Sequence, residues 1–290
     1  MNEITVITYN ILSQPLAELL LNEKKQNQSI YRHEHIDHIN RWTLLTTKLT
    51  NMINTYNNPI ICLQEVPEQW LILFKYYFQN VKYKYINTQY GNKFNGNMGC
   101  LIAYPDNFVL ERMEICQIAN EIEQKQLSVT PSLQELFEND IVMWSKTKKN
   151  TAIFTIFNFK HIRIGVITYH MPCEYKYLSL MYLHINALHK KAESFMNGTS
   201  YIIAGDLNLT PTSIIFKQLT QQLRCVWNIK NIYPDTNHSY LFGNEFNGCI
   251  DHIFYKDLTC IDVICNSPKN IIPDINEPSD HVPVIATFLF

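Results

Sequence analysis

Apolar residues recur along the chain in two rhythms. Short runs rich in β-branched and aromatic residues at 4–8, 60–63, 99–104, 152–157, 162–168, 201–204, 250–254, 259–264 and 282–290 each predict a strand. Three longer segments repeat their apolar residues every three to four positions and predict helices. These are 42–53 (Leu45, Leu49, Met52, Ile53), 67–78 (Trp70, Leu73, Phe74, Tyr77) and 177–196 (Leu180, Tyr182, Leu183, Ile185, Leu188). Some predicted strands follow one another directly and others are separated by helices. That mixture argues for sheet packed on sheet with helices outside, and against a doubly wound parallel fold. The polar stretch 115–149 reads as an insertion, with Ser132-Leu133-Gln134-Glu135 as a capping box for a short helix and a basic cluster of Lys146, Lys148 and Lys149 at its end.

At 290 residues and 46% hydrophobic content the chain can bury a large core, and one α/β domain over 1–290 accounts for it. The 8 glycines and 12 prolines are scattered, so no linker marks a boundary. Eight cysteines (Cys62, Cys100, Cys116, Cys173, Cys225, Cys249, Cys260, Cys265) form no C-x-x-C pair and several fall within apolar runs, which points to packed thiols, a reducing compartment and no structural zinc. The start of the chain lacks the basic and apolar regions of a signal peptide, and no apolar run approaches the ~20 residues of a membrane span. A soluble, cytoplasmic or nuclear protein that is neither secreted nor held in a membrane is therefore expected. A net charge of −2 removes the counterion-driven affinity of a strongly basic nucleic-acid binder, so any polyanion must be held by a local patch.

Chemistry concentrates where the predicted strands stop. The first run ends in Asn10 and the second in Glu65. The run at 201–204 is followed by Asp206 and Asn208, two residues apart and so on one side of an extended backbone, and Asp280-His281 stand just before the last run. Taken singly these are bland: Asn10 ends strands in turns, and Asp206 with Asn208 reads equally as an Asx-rich turn before Thr210-Pro211-Thr212. Several buried strands converging on hard oxygen ligands at one rim would instead build a site for a divalent cation.

In order along the chain, Thr8-Tyr9-Asn10, Leu63-Gln64-Glu65, Tyr169-His170-Met171-Pro172, Gly205-Asp206-Leu207-Asn208, Ile250-Asp251-His252 and Ser279-Asp280-His281 resemble the motifs of the endonuclease/exonuclease/phosphatase superfamily, from Ile4 to Phe290. Tyr9-Asn10-Ile11-Leu12-Ser13-Gln14, Cys62-Leu63-Gln64-Glu65-Val66 and Gly99-Cys100-Leu101-Ile102-Ala103-Tyr104 look like its branch of nocturnin, Angel and the carbon catabolite repressor-type deadenylases. The resemblance implies a deoxyribonuclease I-like four-layer α/β/β/α sandwich, two mostly antiparallel sheets with outer helices, and Mg²⁺-dependent phosphoester hydrolysis with Mn²⁺ as a substitute. It implies Glu65, Asn10 and Asp280 around the metal, Asp206 and Asn208 on the attacking water, His281 on the scissile phosphate with Asp251 behind it, and His170 on a phosphate oxygen.

Those residue types suit the reaction. In-line attack on a phosphodiester needs a cation, a base for water and donors for developing charge. A 3′–5′ RNA exonuclease acting on single-stranded RNA is the expected activity. A DNA endonuclease, a phosphatase on a small metabolite or lipid, and a polynucleotide-binding module without activity are the alternatives. Ala204 and Asp251-His252 stand where inositol phosphatases carry a Trp and an Asp-Arg pair, and no leucine-rich-repeat docking domain is present in the chain. Placement makes Trp144 and Lys146, beside and in the basic cluster ending at Lys149, and Phe246, shortly before Asp251, candidates for substrate contact. His252 points away from Asp251 on an extended strand and is expected in the core, the His33, His35, His38 group reads as a solvated loop or helix, and Cys173 as a bystander thiol.

Overall fold

In the first strand, β1 (Glu3–Asn10), alternate side chains enter two different cores. Ile4 and Val6 join the apolar layer between two sheets, while Ile7 and Tyr9 pack against helices on the other side. A strand sandwiched in this way must be apolar on both faces, which is why its sequence reads as a continuous run. The computed structural model describes residues 3–123 and 139–290. The expected cap at Ser132–Glu135 lies outside them.

After two short strands, β2 (Lys24–Lys25) and β3 (Gln28–Ser29), come β4 (Ile60–Val66), β5 (Tyr83–Asn87), β6 (Gly99–Pro105), β7 (Val109–Gln117), β8 (Thr151–Phe159), β9 (Ile162–Thr168), β10 (Tyr201–Asp206), β11 (Arg224–Cys225), β12 (Asn237–Leu241), β13 (Asn244–Gly248), β14 (Asp251–Lys256), β15 (Thr259–Ile264) and β16 (Val284–Leu289). One six-stranded sheet has the order β15-β16-β1-β4-β6-β5, the other β11-β14-β10-β9-β8-β7. Most neighbours are antiparallel, with one parallel pair in each sheet, β1 with β4 and β9 with β10. Helices His38–Thr55 and Leu71–Asn80 cover the first sheet through Leu45, Leu49, Met52, Phe74 and Phe78, and Leu178–Met196 covers the second through residues such as Leu188 and Phe195. The expected four layers, two sheets face to face between helices, are present.

Sequence and structure differ at edges. The helix read at 42–53 begins at His38, because the Asp37 carboxylate caps it by accepting from the Ile39 and Asn40 amides at 3.0 Å each. Ile115, Cys116 and Gln117 do not open an insertion; they complete β7, opposite Ile153, Ala152 and Thr151. β7 is an edge strand whose polar residues Glu111, Arg112 and Glu114 hide its period. The polar hairpin β12–β13 and the helices Gln14–Leu20, Asn139–Lys146 and Ile214–Leu219 carried no clear pattern either.

Candidate active site

The strand-end residues meet at one rim, and backbone irregularity puts them there. In β4, Ile60 and Cys62 face the second sheet whereas Ile61 and Leu63 face the helices, so simple alternation would turn Glu65 away from Asn10. A β-bulge prevents this. Between Leu63, paired with Leu101, and Val66, paired with Gly99, β4 carries one residue more than β6, and Glu65 takes φ 57°. A left-handed, non-glycine conformation costs of order 1 kcal/mol. Here it re-aims the carboxylate to accept from Asn10 Nδ2 at 3.1 Å and the Ser13 amide at 3.0 Å.

Asn10 links the sheets. Its Nδ2 also donates to Asp206 Oδ2 at 3.0 Å, while its Oδ1 accepts from the Leu12 amide at 3.0 Å. One layer below, Gln64 makes a second crossing, accepting from Thr8 Oγ1 at 3.1 Å and donating to Thr168 Oγ1 at 3.0 Å. Asp206 ends β10 directly opposite Asp251 of β14. Gly205 beside it is required by close approach, since a Cβ there would stand 1.9 Å from the Tyr169 carbonyl oxygen. That approach lets the Met171 amide donate to the Asp206 carbonyl at 3.0 Å and brings His170 to the site. Asn208, at φ 50°, donates its backbone N–H to Asp206 Oδ1 at 3.0 Å and its Nδ2 to the Met171 carbonyl at 2.9 Å.

Two imidazoles face the Asp206 carboxylate. His170 Nε2 and His281 Nε2 lie 3.6 and 3.7 Å from its Oδ2. Behind His281, Nδ1 donates to Asp251 Oδ2 at 2.7 Å, and Thr236 Oγ1 donates to the same oxygen at 2.7 Å. Burial, and next the Asp251 charge, raise Asp206 to about 6; His281, His170 and the Asn10 amide pull the other way. For His281 burial alone would lower the pKa, but it is outweighed by Asp251, Asp280 and Asp206 together, which hold the imidazolium well above its usual range. Burial also raises Asp280, with the Glu65 charge adding to it and His281 opposing.

Asp206, Asp251 and His281 are the one set of three ligand-type side chains within 4.8 Å among the described residues. Their hydrogen bonding makes them an ion-paired relay and not a cation cage, since a protonated imidazolium has no lone pair to give. Glu65 fits a hard cation better. Each of its oxygens accepts a single N–H and keeps lone pairs free, and it and Asp280 are close enough to raise the Asp280 pKa, a repulsion that a divalent ion would relieve.

A family model described as "Endonuclease/Exonuclease/phosphatase family" matches residues 7–281, spanning every one of these side chains from Asn10 to His281. The chain belongs to this family. It is accordingly a divalent-metal-dependent phosphoester hydrolase. Solved structures similar to this endonuclease/exonuclease/phosphatase chain include the human nocturnin catalytic domain with bound sulfate, at 18% identity over 99% of this chain and 93% of that one, TM-score 0.70. ANGEL2, a 2′,3′-cyclic phosphatase, follows at 16% identity, 99% and 95% coverage and TM-score 0.76, and truncated Caenorhabditis elegans TDP2 at 14%, 99% and 98%, with TM-score 0.65. No curated protein sequence matches the chain. Among the described residues no helix is long and apolar enough to cross a membrane.

The structure thus gathers Asn10, Glu65, His170, Asp206, Asn208, Asp251, Asp280 and His281 at one rim. Trp144 and Lys146 stand on the neighbouring helix Asn139–Lys146. Trp144 meets Tyr177 edge-on at 4.6 Å, and it is Lys148 whose ammonium lies over the indole, at 4.6 Å, while Lys146 is exposed. Phe246 lies on the hairpin β12–β13, its ring over Gly248, and that hairpin reaches the site through the bridge between Asn237 and His281. His33 and His35 are separated from His38, which stacks on Trp70 at 5.7 Å.

Residues with no local sequence signature complete the site. Thr236 and Tyr90 back Asp251 and His170, and buried Arg41 pins two loops at once. Its Nε donates to the Pro278 carbonyl at 2.8 Å and its Nη2 to the carbonyls of Ile11 at 2.7 Å and Leu12 at 2.5 Å. Tyr9 donates to Glu277, which also pairs with Lys48, tying the Asp280 loop to β1.

His252 is a core residue as expected. Its Nδ1 accepts from Trp227 Nε1 at 3.1 Å and its Nε2 donates to the Leu209 carbonyl at 2.6 Å, and burial lowers it to about 4, so the ring stays neutral. His252→Ala should therefore cost about 3 kcal/mol in urea unfolding, from the cavity and two orphaned polar groups. Its kcat under folding conditions should stay within about twofold of wild type.

Proposed function

We propose that this site hydrolyses single-stranded RNA from its 3′ end, as a Mg²⁺-dependent exonuclease of the deadenylase type in which Mn²⁺ can replace Mg²⁺. The observation that carries the reading is Asp206, a buried carboxylate raised to about 6, faced by two imidazole Nε2 atoms and tied through Asn10 to Glu65. Asp206 removes a proton from the attacking water, and its raised pKa makes it a competent base near neutrality. Asn208, held by Met171 and Asp206, orients that water. His281, kept charged by Asp251, and His170 donate to the phosphate oxygens as charge builds. Glu65, Asn10 and Asp280 would hold the ion, which when bound neutralises phosphate charge as a Lewis acid.

Single strands fit the surroundings better than duplexes. The chain carries a net charge of −2 and has no broad basic groove implied by its composition, while Trp144, Tyr177 and Lys148 form a compact aromatic-cationic wall, with Lys148 close in the chain to Asn150, whose side chain donates to the His170 carbonyl. Likeness to nocturnin supports the same reading. Trp144, Lys146 and Phe246 are assigned to the substrate strand. Alanine at Trp144 or Phe246 is expected to weaken binding of an adenosine oligonucleotide about fivefold or more by fluorescence anisotropy, since a base–aromatic stack contributes about 1–3 kcal/mol. Unchanged affinity would remove both residues from the substrate path.

The likeness to ANGEL2, a 2′,3′-cyclic phosphatase, favours a second reading, hydrolysis of a terminal RNA phosphate without chain shortening. One assay separates them. A 5′-labelled RNA with a 3′ adenosine tail, the same RNA ending in a 2′,3′-cyclic phosphate, an abasic duplex DNA and NADP(H) are incubated with Mg²⁺ or with chelator. A Mg²⁺-dependent ladder from the 3′ end supports the exonuclease. Opening of the cyclic end alone, a single cut in the duplex or phosphate release from the dinucleotide overturns it.

A further inference from the structure

The two imidazoles that face Asp206 are backed by different chemistry. Behind His281 is a carboxylate. Behind His170 is a phenol: Tyr90 Oη lies 2.8 Å from His170 Nδ1, with the two rings edge-on at 6.3 Å and 70°. We infer that Tyr90 is a positioning residue that fixes His170 as the Nε2–H tautomer and so aims an N–H, and not a lone pair, at the reacting phosphate.

The Nε2 end selects that tautomer, and the Nδ1 end completes it with a hydroxyl free to donate. At Nε2 the neighbour is the Asp206 carboxylate at 3.6 Å, toward which an N–H is attracted and a lone pair repelled. At Nδ1 a hydroxyl is the partner, and a hydroxyl can give its proton to a bare nitrogen. A carboxylate in the same place could only accept, and would draw the proton to Nδ1, as Asp251 does from His281. Tyr90 is buried in the apolar layer between the sheets.

The ring is oriented from its two nitrogens, by Asp206 at Nε2 and, at hydrogen-bond distance, by Tyr90 at Nδ1. The main chain of His170 is fixed on both sides, by Asn150 Nδ2 donating to its carbonyl at 2.9 Å and by the Met171 amide donating to Asp206 at 3.0 Å. Tyr90 is itself held, since its amide and that of Gly91 both donate to the Met98 carbonyl, at 3.0 and 2.9 Å. A rigid hydroxyl against a rigid backbone therefore sets the imidazole torsion. It also divides labour between the two histidines, one backed by an anion and one by a neutral donor.

The inference rests on the assignment of His170 to the phosphate, and its test has an arm independent of turnover. Long-range ¹H–¹⁵N imidazole spectra are recorded for wild type and Tyr90→Phe, with His170 assigned by its loss in His170→Gln, alongside kinetics on the RNA substrate. The expected result is an Nε2–H tautomer in wild type, a tautomer mixture in Tyr90→Phe, and a kcat lower by roughly tenfold or more at nearly unchanged KM. Adding Tyr90→Phe to His170→Gln should cause no further loss. An Nδ1–H tautomer in wild type, a Tyr90→Phe spectrum and kcat both like wild type, or an undiminished Tyr90→Phe effect in the His170→Gln background would overturn the inference. If wild type leaves RNA intact, a Tyr90-dependent tautomer still upholds the positioning role while the substrate reading falls.

Discussion

Asp206→Asn is expected to lower kcat by about three orders of magnitude while leaving the metal-free protein at least as stable as wild type. The loss follows from removing the base, a contribution of roughly 10²–10⁴. The stability follows from linkage. Asp206 has a folded-state pKa of about 6 against an ordinary carboxylate value near 3.9. The fold therefore favours its protonated form. Its stabilising contribution is present below about pH 4, declines between 4 and 6, and above 6 its ionisation costs on the order of 3 kcal/mol. Asparagine matches the neutral acid in shape and abolishes that cost, which offsets a loss of about 1–3 kcal/mol where its NH₂ replaces an oxygen that accepts from Asn10 Nδ2 or the Asn208 amide. Thermal melts at pH 7.5 in chelator should show the variant melting at or above the wild-type temperature, and a clear drop would mean that the carboxylate charge supports the fold. In wild type, kcat/KM should fall about tenfold per pH unit on the acid side of the Asp206 pKa, and the residual activity of the variant should lack that limb.

Glu65→Gln should act differently, removing metal affinity along with turnover. The amide keeps the size of the side chain but halves its acceptor capacity and deletes its charge, while Asp206 and both histidines stay in place. A Lewis acid contributes several kcal/mol to the barrier, so a loss of about 10²–10⁴ in kcat is expected. Mn²⁺ titration followed by electron paramagnetic resonance or calorimetry should show strong binding in wild type and in Asp206→Asn, and none in Glu65→Gln. Equal Mn²⁺ affinity in Glu65→Gln and wild type would move the ion elsewhere, with the Asp206, Asp251, His281 cluster as the place to look.

The site was legible in the sequence where its residues terminate buried strands. Asn10, Asp206 and Asp251 each sit at an end of a buried strand rich in β-branched or aromatic residues, and the polar interruption is visible against that background. Glu65 was found by motif, yet its geometry depends on a bulge that no alternation rule reveals, because one extra residue reverses the face it points to. Tyr90, Thr236 and Arg41 were not legible at all. They act through contacts 80, 15 and 237 residues away in the chain, and a tyrosine, threonine or arginine between strands has no local mark of such a partner. The edge strand β7 was missed for a related reason, as a strand with one neighbour and a wet face need not be apolar.

The pairing of β1 with β16, from Glu3 opposite Leu289 to Thr8 opposite Val284, has a consequence for the making of the protein. As the chain leaves the ribosome, Asn10, Glu65, His170 and Asp206 emerge long before His281, and the strand that closes the first sheet emerges after it. Contacts of such long sequence separation form late and slowly. A nascent chain therefore carries Asn10, Glu65 and Asp206 without the Asp280 carboxylate or the His281 imidazolium, and its first sheet stays open until synthesis is nearly done. A chain that stops short of Asp280 lacks both groups, so the order of synthesis sets when the site can be complete.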